Sequence, residues 1–216
     1  MIDHINSTRC KHIITIEDPI EYMHEDKKSI ISQREVGTDT QSFASALKHV
    51  LRQDPDVILI GEMRDLETVS IALTAAETGH LILATLHTAS APDAVNRIID
   101  AFPSYQHNQV RSQLADVLQG VLYQALIPTS DTVGIVPAVE VLIATEAVRN
   151  LIREGHTYEL VNYMHTGKEW GMQTLDQALL QLYRRGKINN VETYSHLRSY
   201  DEARQFVPAP GGSMGN

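Results

Sequence analysis

Short apolar runs alternate with helical patterns along the first half of the chain. Runs rich in β-branched residues predict four strands, bounded by Asp-Pro, Gly or Asp/Thr clusters: His12–Glu17, Ser29–Arg34, Asp56–Ile60 and His80–Leu86. Helical spacing of apolar residues predicts helices over Gln41–Gln53 and from the N-cap Asp65 to about Thr78. A capping box predicts that another helix begins at Ser90. Strands alternating with helices predict a mainly parallel α/β sheet covered on both faces.

The pattern changes in the second half of the chain. Apolar residues from Val110 to Leu126 predict a long amphipathic helix that runs into a strand near its end. Val133–Ile143 predicts another strand, in which Pro137 demotes part to an edge. Only helices are predicted after that strand, followed by a Pro-, Gly- and Ser-rich tail that we expect to be disordered. The sequence therefore predicts three parts: an α/β part in residues 1–145, a helical region in residues 146–207 and a disordered tail in residues 208–216.

Composition narrows the class of protein. The 216 residues are 43% hydrophobic and 21% charged, as in ordinary globular proteins, and no apolar run approaches the roughly 20 residues that span a bilayer. No basic and apolar leader follows Met1, so a secretory signal is not supported. Cys10 is the only cysteine, which excludes an internal disulfide and a multi-cysteine zinc site and fits a reducing cytoplasm.

The net charge of −9 is unevenly distributed along the chain. Residues 146–216 carry eight basic and eight acidic side chains, so the whole excess lies in residues 1–145. Because nucleic-acid phosphates are bound by Lys and Arg, such a surface argues against a nucleic-acid partner. Two explanations fit the excess of negative charge. One is an acidic site that holds a divalent cation, and the other, which is commoner, is carboxylates scattered over the solvated surface.

Acidic residues follow two of the predicted strands. Glu17, Asp18 and Glu21 follow the first strand, at the end where parallel α/β sheets bind ligands, although an ordinary acidic turn fits the same residues. Gly61 and Glu62 follow the third strand. A carboxylate there can hold Mg²⁺, as in a Walker B element, but an apolar strand ending in an acid is also common in α/β proteins.

Two histidines bracket the fourth predicted strand. His80 and His87 are placed to sense or contact phosphates, although a lone histidine at a strand end is more often structural. Seven residues of extended strand span roughly 20 Å, so the two imidazoles cannot share one metal ion.

Taken in this order, these segments resemble the Asp box, the Walker B element and the His box of the type II/type IV secretion ATPase superfamily. The resemblance covers nearly all of residues 1–207. Residues 147–154, Ala-Val-Arg-Asn-Leu-Ile-Arg-Glu, are similar to the signature of the pilus retraction ATPases of this superfamily, and residues 171–176 are similar to their C-terminal helical region. The apolar positions of residues 147–154 also describe an ordinary buried helix face.

The resemblance implies a partial RecA-like P-loop NTPase core in residues 1–145 and a C-terminal helical region in residues 146–207. It implies an ATPase that uses ATP and Mg²⁺. The implied catalytic residues are Glu21 as general base, Glu62 as Mg²⁺ ligand, and His80 and His87 near the γ-phosphate. The resemblance also implies four nucleotide-binding residues. Glu17 and Asp18 would support the site, and Arg64 and Arg52 would stabilise negative charge, either in the same subunit or across a subunit interface.

The same resemblance implies a biological role. The parent protein is expected to form a homo-oligomer, a hexameric ring that couples ATP hydrolysis to type IV pilus retraction and twitching motility. Its partner is expected to be the type IV pilus inner-membrane platform, with the protein cytoplasmic and peripheral at the inner membrane. Two alternatives stay open: a pilus-assembly or type II secretion ATPase, which usually carries a four-cysteine zinc element, and a non-catalytic oligomerisation or docking module.

The sequence departs from the family in one respect that bears on activity. It contains no G-x-x-x-x-G-K-S/T, so neither the lysine nor the backbone amides of that loop are there to cradle phosphates. In the family this loop comes immediately before the helix whose end residues 1–5 resemble, and the family's N-terminal PAS-like domain is absent as well. We therefore expect a C-terminal portion, arising from truncation, a partial gene or an internal start, that hydrolyses ATP negligibly by itself.

Overall fold

A computed structural model describes residues 1–131, 133–200 and 203–209. The chain divides into two compact units: unit 1 comprises residues 1–87 and 97–117, and unit 2 comprises residues 88–96 and those from 118 onward. The boundary predicted at residue 145 stays a prediction. Within the described ranges, no helix is both long and apolar enough to cross a bilayer.

Unit 1 is built on a four-stranded parallel sheet. Its strands are β1 (His12–Glu17), β2 (Ile30–Glu35), β3 (Val57–Ile60) and β4 (Leu81–Ala84). They lie in the order β2-β1-β3-β4, and every neighbouring pair is parallel. This arrangement confirms the predicted mainly parallel sheet. The fourth strand was predicted too long, because the backbone N–H of His80 donates to the carbonyl of Ala75 and so belongs to the end of the preceding helix.

Five α-helices lie between residues 1 and 117. They are α1 (Ile2–Thr8), α2 (Phe43–Val50), α3 (Leu66–Glu77), α4 (Ala91–Asp100) and α5 (His107–Val117). Of these, α4 begins in unit 2 and ends in unit 1. Asp65 caps α3 by accepting a hydrogen bond from Thr68 N at 2.9 Å, as its position before the helix predicted. Ser90 Oγ likewise accepts from Asp93 N at 3.1 Å at the start of α4. The predicted helix starts are therefore set by side-chain caps.

Alternate residues of the strands face opposite layers. Even-numbered residues of β1 and β3, such as Ile14 and Ile58, are buried against α2 and α3. On the other face, Ile13 and Val57 pack with Ile2 of α1. Thr15 and Gln33 are opposite each other in the parallel pair of β1 and β2, on the same face as α1. This face carries polar side chains toward the strand ends.

Unit 2 pairs a long hairpin with helices. Strands β5 (Gly120–Pro128) and β6 (Ile135–Ile143) are antiparallel, with Leu126 opposite Pro137. The helices that follow are α6 (Glu146–Glu154), α7 (Leu160–Thr166), α8 (Leu175–Arg184), α9 (Asn190–His196) and α10 (Ala203–Phe206). The apolar side of the hairpin packs on α8, where Ile127, Ala138 and Leu179 are buried. The helical character predicted after β6 is confirmed for the described residues.

The long helix predicted from Val110 is shorter than expected, and the strand predicted near its end is confirmed. Helix α5 ends at Val117, and β5 begins at Gly120. Burial then alternates with a period of two: Tyr123 is partly buried, whereas Leu122 is exposed. A side chain at Gly120 would lie 2.8 Å from a carbonyl of β6, so the hairpin requires glycine there. The spacing of the apolar residues fits both a helix and a strand. Pairing with β6 makes residues 120–128 a strand.

One carboxylate inside unit 2 serves two helix starts. Glu140 of β6 is completely buried. Its Oε1 accepts from Ala91 N at 2.7 Å, and its Oε2 accepts from Leu175 N at 3.3 Å. These amides are the first of α4 and α8, and helix N-termini favour negative charge. Glu140 therefore joins two helices to the hairpin.

The predicted tail is described only at its beginning. Pro208 and Ala209 have no regular secondary structure. Residues 210–216 of the predicted disordered tail lie outside the described residues.

Candidate functional site

The carboxyl ends of β1, β3 and β4 meet at one edge of the parallel sheet. Gly61 N donates to Ile16 O at 2.7 Å, and Thr85 Oγ1 donates to Gly61 O. A Cβ atom at Gly61 would lie 3.1 Å from Ile16 O and 3.2 Å from the Cα atom of Glu17, tighter than most real contacts. Glycine thus lets the end of β3 approach the end of β1.

Glu62 is the centre of a charged cluster at this edge. Its Oε1 accepts a hydrogen bond from Arg64 Nε and lies 3.1 Å from Nε2 of His87. The Glu62 side chain is 17% exposed, whereas those of Arg64 and His87 are 75% and 80% exposed. The structure therefore brings together three of the predicted site residues, with the acid on the inner side.

Glu62 and Arg64 each favour the charged form of the other. The hydrogen bond from Arg64 lowers the pKa of Glu62 below its ordinary value of 4.5, and the nearby His87 adds to the effect. Glu62 in turn raises the pKa of Arg64, with a smaller contribution from the negative charge of Asp18. Asp18 thus acts electrostatically on Arg64, and its role at the site stays a prediction.

Glu17 is held in place by neighbouring side chains. Thr15 Oγ1 donates to its Oε1 at 2.6 Å, and Gln33 Nε2 donates to the same atom at 3.0 Å. Neither Thr15 nor Gln33 was among the residues predicted for the site. The available signal was a polar residue two positions before an acid on the same strand, Thr15 before Glu17 and Gln33 before Glu35, which places both on one face.

Glu21 stands differently from the other acids. It is exposed on the loop after β1, and neither of its carboxylate oxygens has a hydrogen bond or an ion pair with any residue that the structure describes. The backbone on both sides of it is fixed, because Ile20 N donates to Glu35 Oε2 at 3.1 Å and Tyr22 O accepts from Gln33 Nε2 at 2.9 Å. Its role as general base stays a prediction.

His80 and Arg52 lie at the opposite edge of the sheet. His80 precedes β4, and its Nδ1 lies 2.9 Å from Ala75 O and 3.2 Å from Thr78 Oγ1, so it serves the end of α3. Arg52 follows α2 on the stretch that leads to the start of β3 and is exposed. The structure does not bring either residue to Glu62 within this chain. Their predicted roles are untested and gain no support from these positions.

The acids fit a Mg²⁺ site that is completed by a substrate. Among the residues that the structure describes, no group of three or more His, Cys, Asp and Glu side chains could hold a metal ion by itself. Mg²⁺ does not need such a group, because it keeps several waters and binds one or two carboxylates together with phosphate oxygens. Both contacts of Glu62 fall on Oε1, so its Oε2 is the atom that suits such a ligand role.

Comparison with known proteins places this geometry in a family. The family described as "Type II/IV secretion system protein" matches residues 1–140. The chain belongs to this type II/IV secretion system protein family.

Individual relatives match more of the chain. It is 54% identical over 188 residues to a twitching motility protein of Neisseria gonorrhoeae, covering 87% of this chain and 50% of the relative. It is 51% identical over 189 residues to the type IV pilus retraction ATPase PilT of Pseudomonas aeruginosa, covering 88% of this chain and 55% of the relative. The match to the type IV pilus ATPase PilU of the same organism is 47% identical over 207 residues, or 96% of this chain and 54% of the relative.

A solved structure agrees with these sequences. The crystal structure of the pilus retraction motor PilT with bound ADP superimposes with a TM-score of 0.87 at 50% identity, covering 95% of this chain and 58% of that one. The predicted resemblance and the α/β fold class are therefore confirmed, and ATPases are among the members of the family that resemble this chain. The chain spans about half the length of the curated relatives it matches.

Proposed function

We propose that this chain is part of a motor subunit that hydrolyses ATP to retract type IV pili and drive twitching motility. The observation that carries the proposal is the contact between Glu62 and His87 at the ends of β3 and β4. It joins the acid and the histidine that the resemblance assigns to the Walker B element and the His box. Two of the relatives that match at about half identity over most of the chain carry names of pilus retraction and twitching.

Each residue of the edge has a defined task in this proposal. Glu62 stays ionised beside Arg64 and offers Oε2 to Mg²⁺, whose charge would offset that of the phosphates. His87 and Arg64 are exposed enough to turn toward the γ-phosphate. Glu21, with its carboxylate in solvent, accepts a proton from the attacking water. Glu17 accepts hydrogen bonds from Thr15 and Gln33 and so holds the ends of β1 and β2 together.

The phosphate cradle has to come from elsewhere in the complete protein. This sequence lacks the G-x-x-x-x-G-K-S/T loop, and the relatives are about twice as long as the matched region. Among the described residues, β4 is paired with β3 on one side and with no strand on the other. The sheet can therefore accept another strand beside the site. We therefore propose that this chain by itself binds ATP weakly and hydrolyses it negligibly.

The oligomer, partner and location are proposed on the same resemblance. The complete protein forms a ring of identical subunits, six in number, and works on the inner-membrane platform of the pilus from the cytoplasmic side. Arg52 is exposed at the edge opposite Glu62 and is the candidate to act on a neighbouring subunit's nucleotide. Sedimentation of the complete protein with ATP would show whether a hexamer forms.

A secretion or assembly ATPase is the second candidate in the same family. The type II secretion system protein E of Xanthomonas campestris is 42% identical, but over only 131 residues, or 60% of this chain. The twitching motility, PilT and PilU relatives match 188 or more residues, and these matches therefore extend into the helices after β6. The longer match, together with the single cysteine, favours retraction.

Calorimetry with ATP and Mg²⁺ tests the proposal. The 216-residue chain and an extended protein that supplies a phosphate-binding loop are compared, with Glu62→Gln in the extended protein as the control. We expect tight binding and turnover only in the extended protein, and loss of turnover in the control. A clear ATPase rate from the 216-residue chain would contradict its inactivity, and an extended protein without turnover would favour the docking module.

A further inference from the structure

The loop between β1 and β2, residues 18–29, is irregular but extensively tethered. Three polar side chains outside the loop hold its backbone at several points. Glu35 accepts from Ile20 N at 3.1 Å, and Asn6, which is completely buried, accepts from Lys27 N at 3.0 Å through Oδ1. The third side chain, Gln33, holds the middle of the loop. Because this loop carries Glu21, its tethers decide where that acid stands.

Gln33 uses both ends of its amide. Nε2 donates to Glu17 Oε1 at 3.0 Å and to Tyr22 O at 2.9 Å. Oε1 accepts from His24 N at 2.7 Å. Exchanging the oxygen and nitrogen would place an acceptor against two acceptors and a donor against a donor, so only one orientation satisfies all three partners. The amide is therefore a fixed bracket between the end of β1 and the loop.

The sheet explains why a glutamine performs this task. Gln33 is opposite Thr15 in the parallel register, two residues before the end of β2. Its side chain points to the same face as Glu17 and is long enough to reach beyond the last strand residue. A shorter amide at this position would reach neither Tyr22 nor His24.

We propose that Gln33 is a positioning residue for ATP hydrolysis, because it fixes the distance between Glu17 and the loop segment that carries Glu21. Glu35 holds the residue before Glu21, and Gln33 holds the residue after it. The backbone is fixed on both sides while the carboxylate stays free to meet water. This inference rests on the proposed function, both for ATP hydrolysis and for the role of Glu21 as general base.

Two substitutions separate the bonds that Gln33 makes. Gln33→Met keeps the length of the side chain and removes all three bonds. Gln33→Glu keeps an acceptor for His24 N but places a second carboxylate against Glu17. The matched control is Gln41→Met, because Gln41 is exposed and makes no side-chain hydrogen bond among the residues that the structure describes.

Amide hydrogen exchange of the 216-residue chain, read by NMR, tests the bracket without any nucleotide. In Gln33→Met we expect the amide of His24 to exchange about tenfold faster, the size of effect that loss of one hydrogen bond produces. In Gln33→Glu its protection should remain. The amides of Ile20 and Lys27, which other side chains hold, should change little in either variant and report that the sheet is intact. Unchanged protection of His24 in Gln33→Met would overturn the proposal.

Turnover in the extended, ATP-hydrolysing protein tests the catalytic consequence. We expect Gln33→Met and Gln33→Glu to lower kcat at least about tenfold with little change in KM, since proton transfer depends on placement of the base. Gln41→Met should leave both constants unchanged. Faster exchange at His24 with an unchanged kcat would make Gln33 a structural residue only and overturn its catalytic part. An extended wild-type protein without turnover would instead count against the proposed function, while the exchange result still decides the bracket.

Discussion

Arg198 forms an ion pair with Glu140, whose side chain is 1% exposed, with 2.6 Å between Nη1 and Oε2. The other end of the guanidinium donates to the carbonyl of Ala89, and the carboxylate also holds the first amides of α4 and α8. A single buried acid and its partner thus connect segments near residues 89, 140, 175 and 198. The segment at residue 89 belongs to the same unit as Glu140 and Arg198.

Breaking this pair should destabilise unit 2. Arg198→Met leaves the carboxylate buried without its cation, a change that typically costs about 3–5 kcal/mol. Chemical unfolding followed by circular dichroism measures the loss. The control is Lys48→Met, which removes an exposed ion pair with Glu67 and should cost about 1 kcal/mol or less.

A second variant distinguishes charge from packing at this node. Glu140→Gln combined with Arg198→Met removes both charges. Its amide oxygen can still accept from one helix N-terminus, whereas its amide nitrogen, a donor, replaces the acceptor at the other. We expect the double variant to be more stable than Arg198→Met alone, because the loss of one acceptor costs less than an uncompensated buried charge. A double variant that is no more stable than Arg198→Met would contradict this account.

The Glu62 carboxyl should titrate below its ordinary pKa of 4.5 in the folded chain. Since folding lowers this pKa, the ionised carboxylate stabilises the fold fully above about pH 4.5, and this contribution is lost as the pH falls through the lower folded value. Arg64→Met removes the principal cause and should move the midpoint upward. NMR titration of the labelled glutamate carboxyl carbons measures the shift, and Lys48→Met, away from the site, should leave it alone. A midpoint that does not move in Arg64→Met contradicts this account.

Adding a methyl group at Gly61 should separate the ends of β1 and β3. The new Cβ would press on the backbone of Ile16 and Glu17, which cannot rotate away. We expect Gly61→Ala to lower the free energy of unfolding by about 1–3 kcal/mol, as overpacking usually does. Gly134→Ala is the matched control, because its nearest contact would be an ordinary 3.6 Å to Thr129 Oγ1. Urea unfolding of the two variants compares them, and equal midpoints would rule out the close approach.

Glu21→Gln tests the assignment of the general base. In the extended protein we expect turnover to fall by about 10²-fold or more, while nucleotide binding stays close to wild type. The exposed carboxylate makes no contact that folding needs, so stability should not change. Steady-state turnover and calorimetry on the same sample separate the two effects. Unchanged turnover removes Glu21 from the mechanism.

Much of the fold followed from local patterns, whereas the contacts of the site did not. Asp65 predicted the start of α3, because a capping side chain bonds a backbone amide only three residues away. The apolar runs between the helices predicted the parallel sheet. Gln33 escaped notice because its partners Glu17 and Tyr22 are 16 and 11 residues away and meet it only once β1 and β2 pair. Local spacing carries no information on such register.

The two histidines show the same limit in another form. The sequence grouped His80 with His87 because they flank one strand, and a strand of that length puts its ends on opposite edges of the sheet. Glu62 and His87 meet instead because their strands are parallel neighbours and both residues follow the strand ends. Grouping residues by the strand end at which they lie, rather than by the strand, describes which of them meet within this chain, and the role of His80 stays a prediction.

The outer side of β4 has a practical consequence for anyone who prepares this chain. Natural edge strands carry charged residues, especially lysine, or proline, which prevent pairing with the edge strand of another molecule. The residues of β4, Leu-Ile-Leu-Ala, include none of these, and Leu81 is 40% exposed. The backbone groups of β4 on that side face no strand of the described residues. Expressed alone, the polypeptide should therefore self-associate strand to strand as its concentration rises, which makes dilute samples preferable for measurements on it.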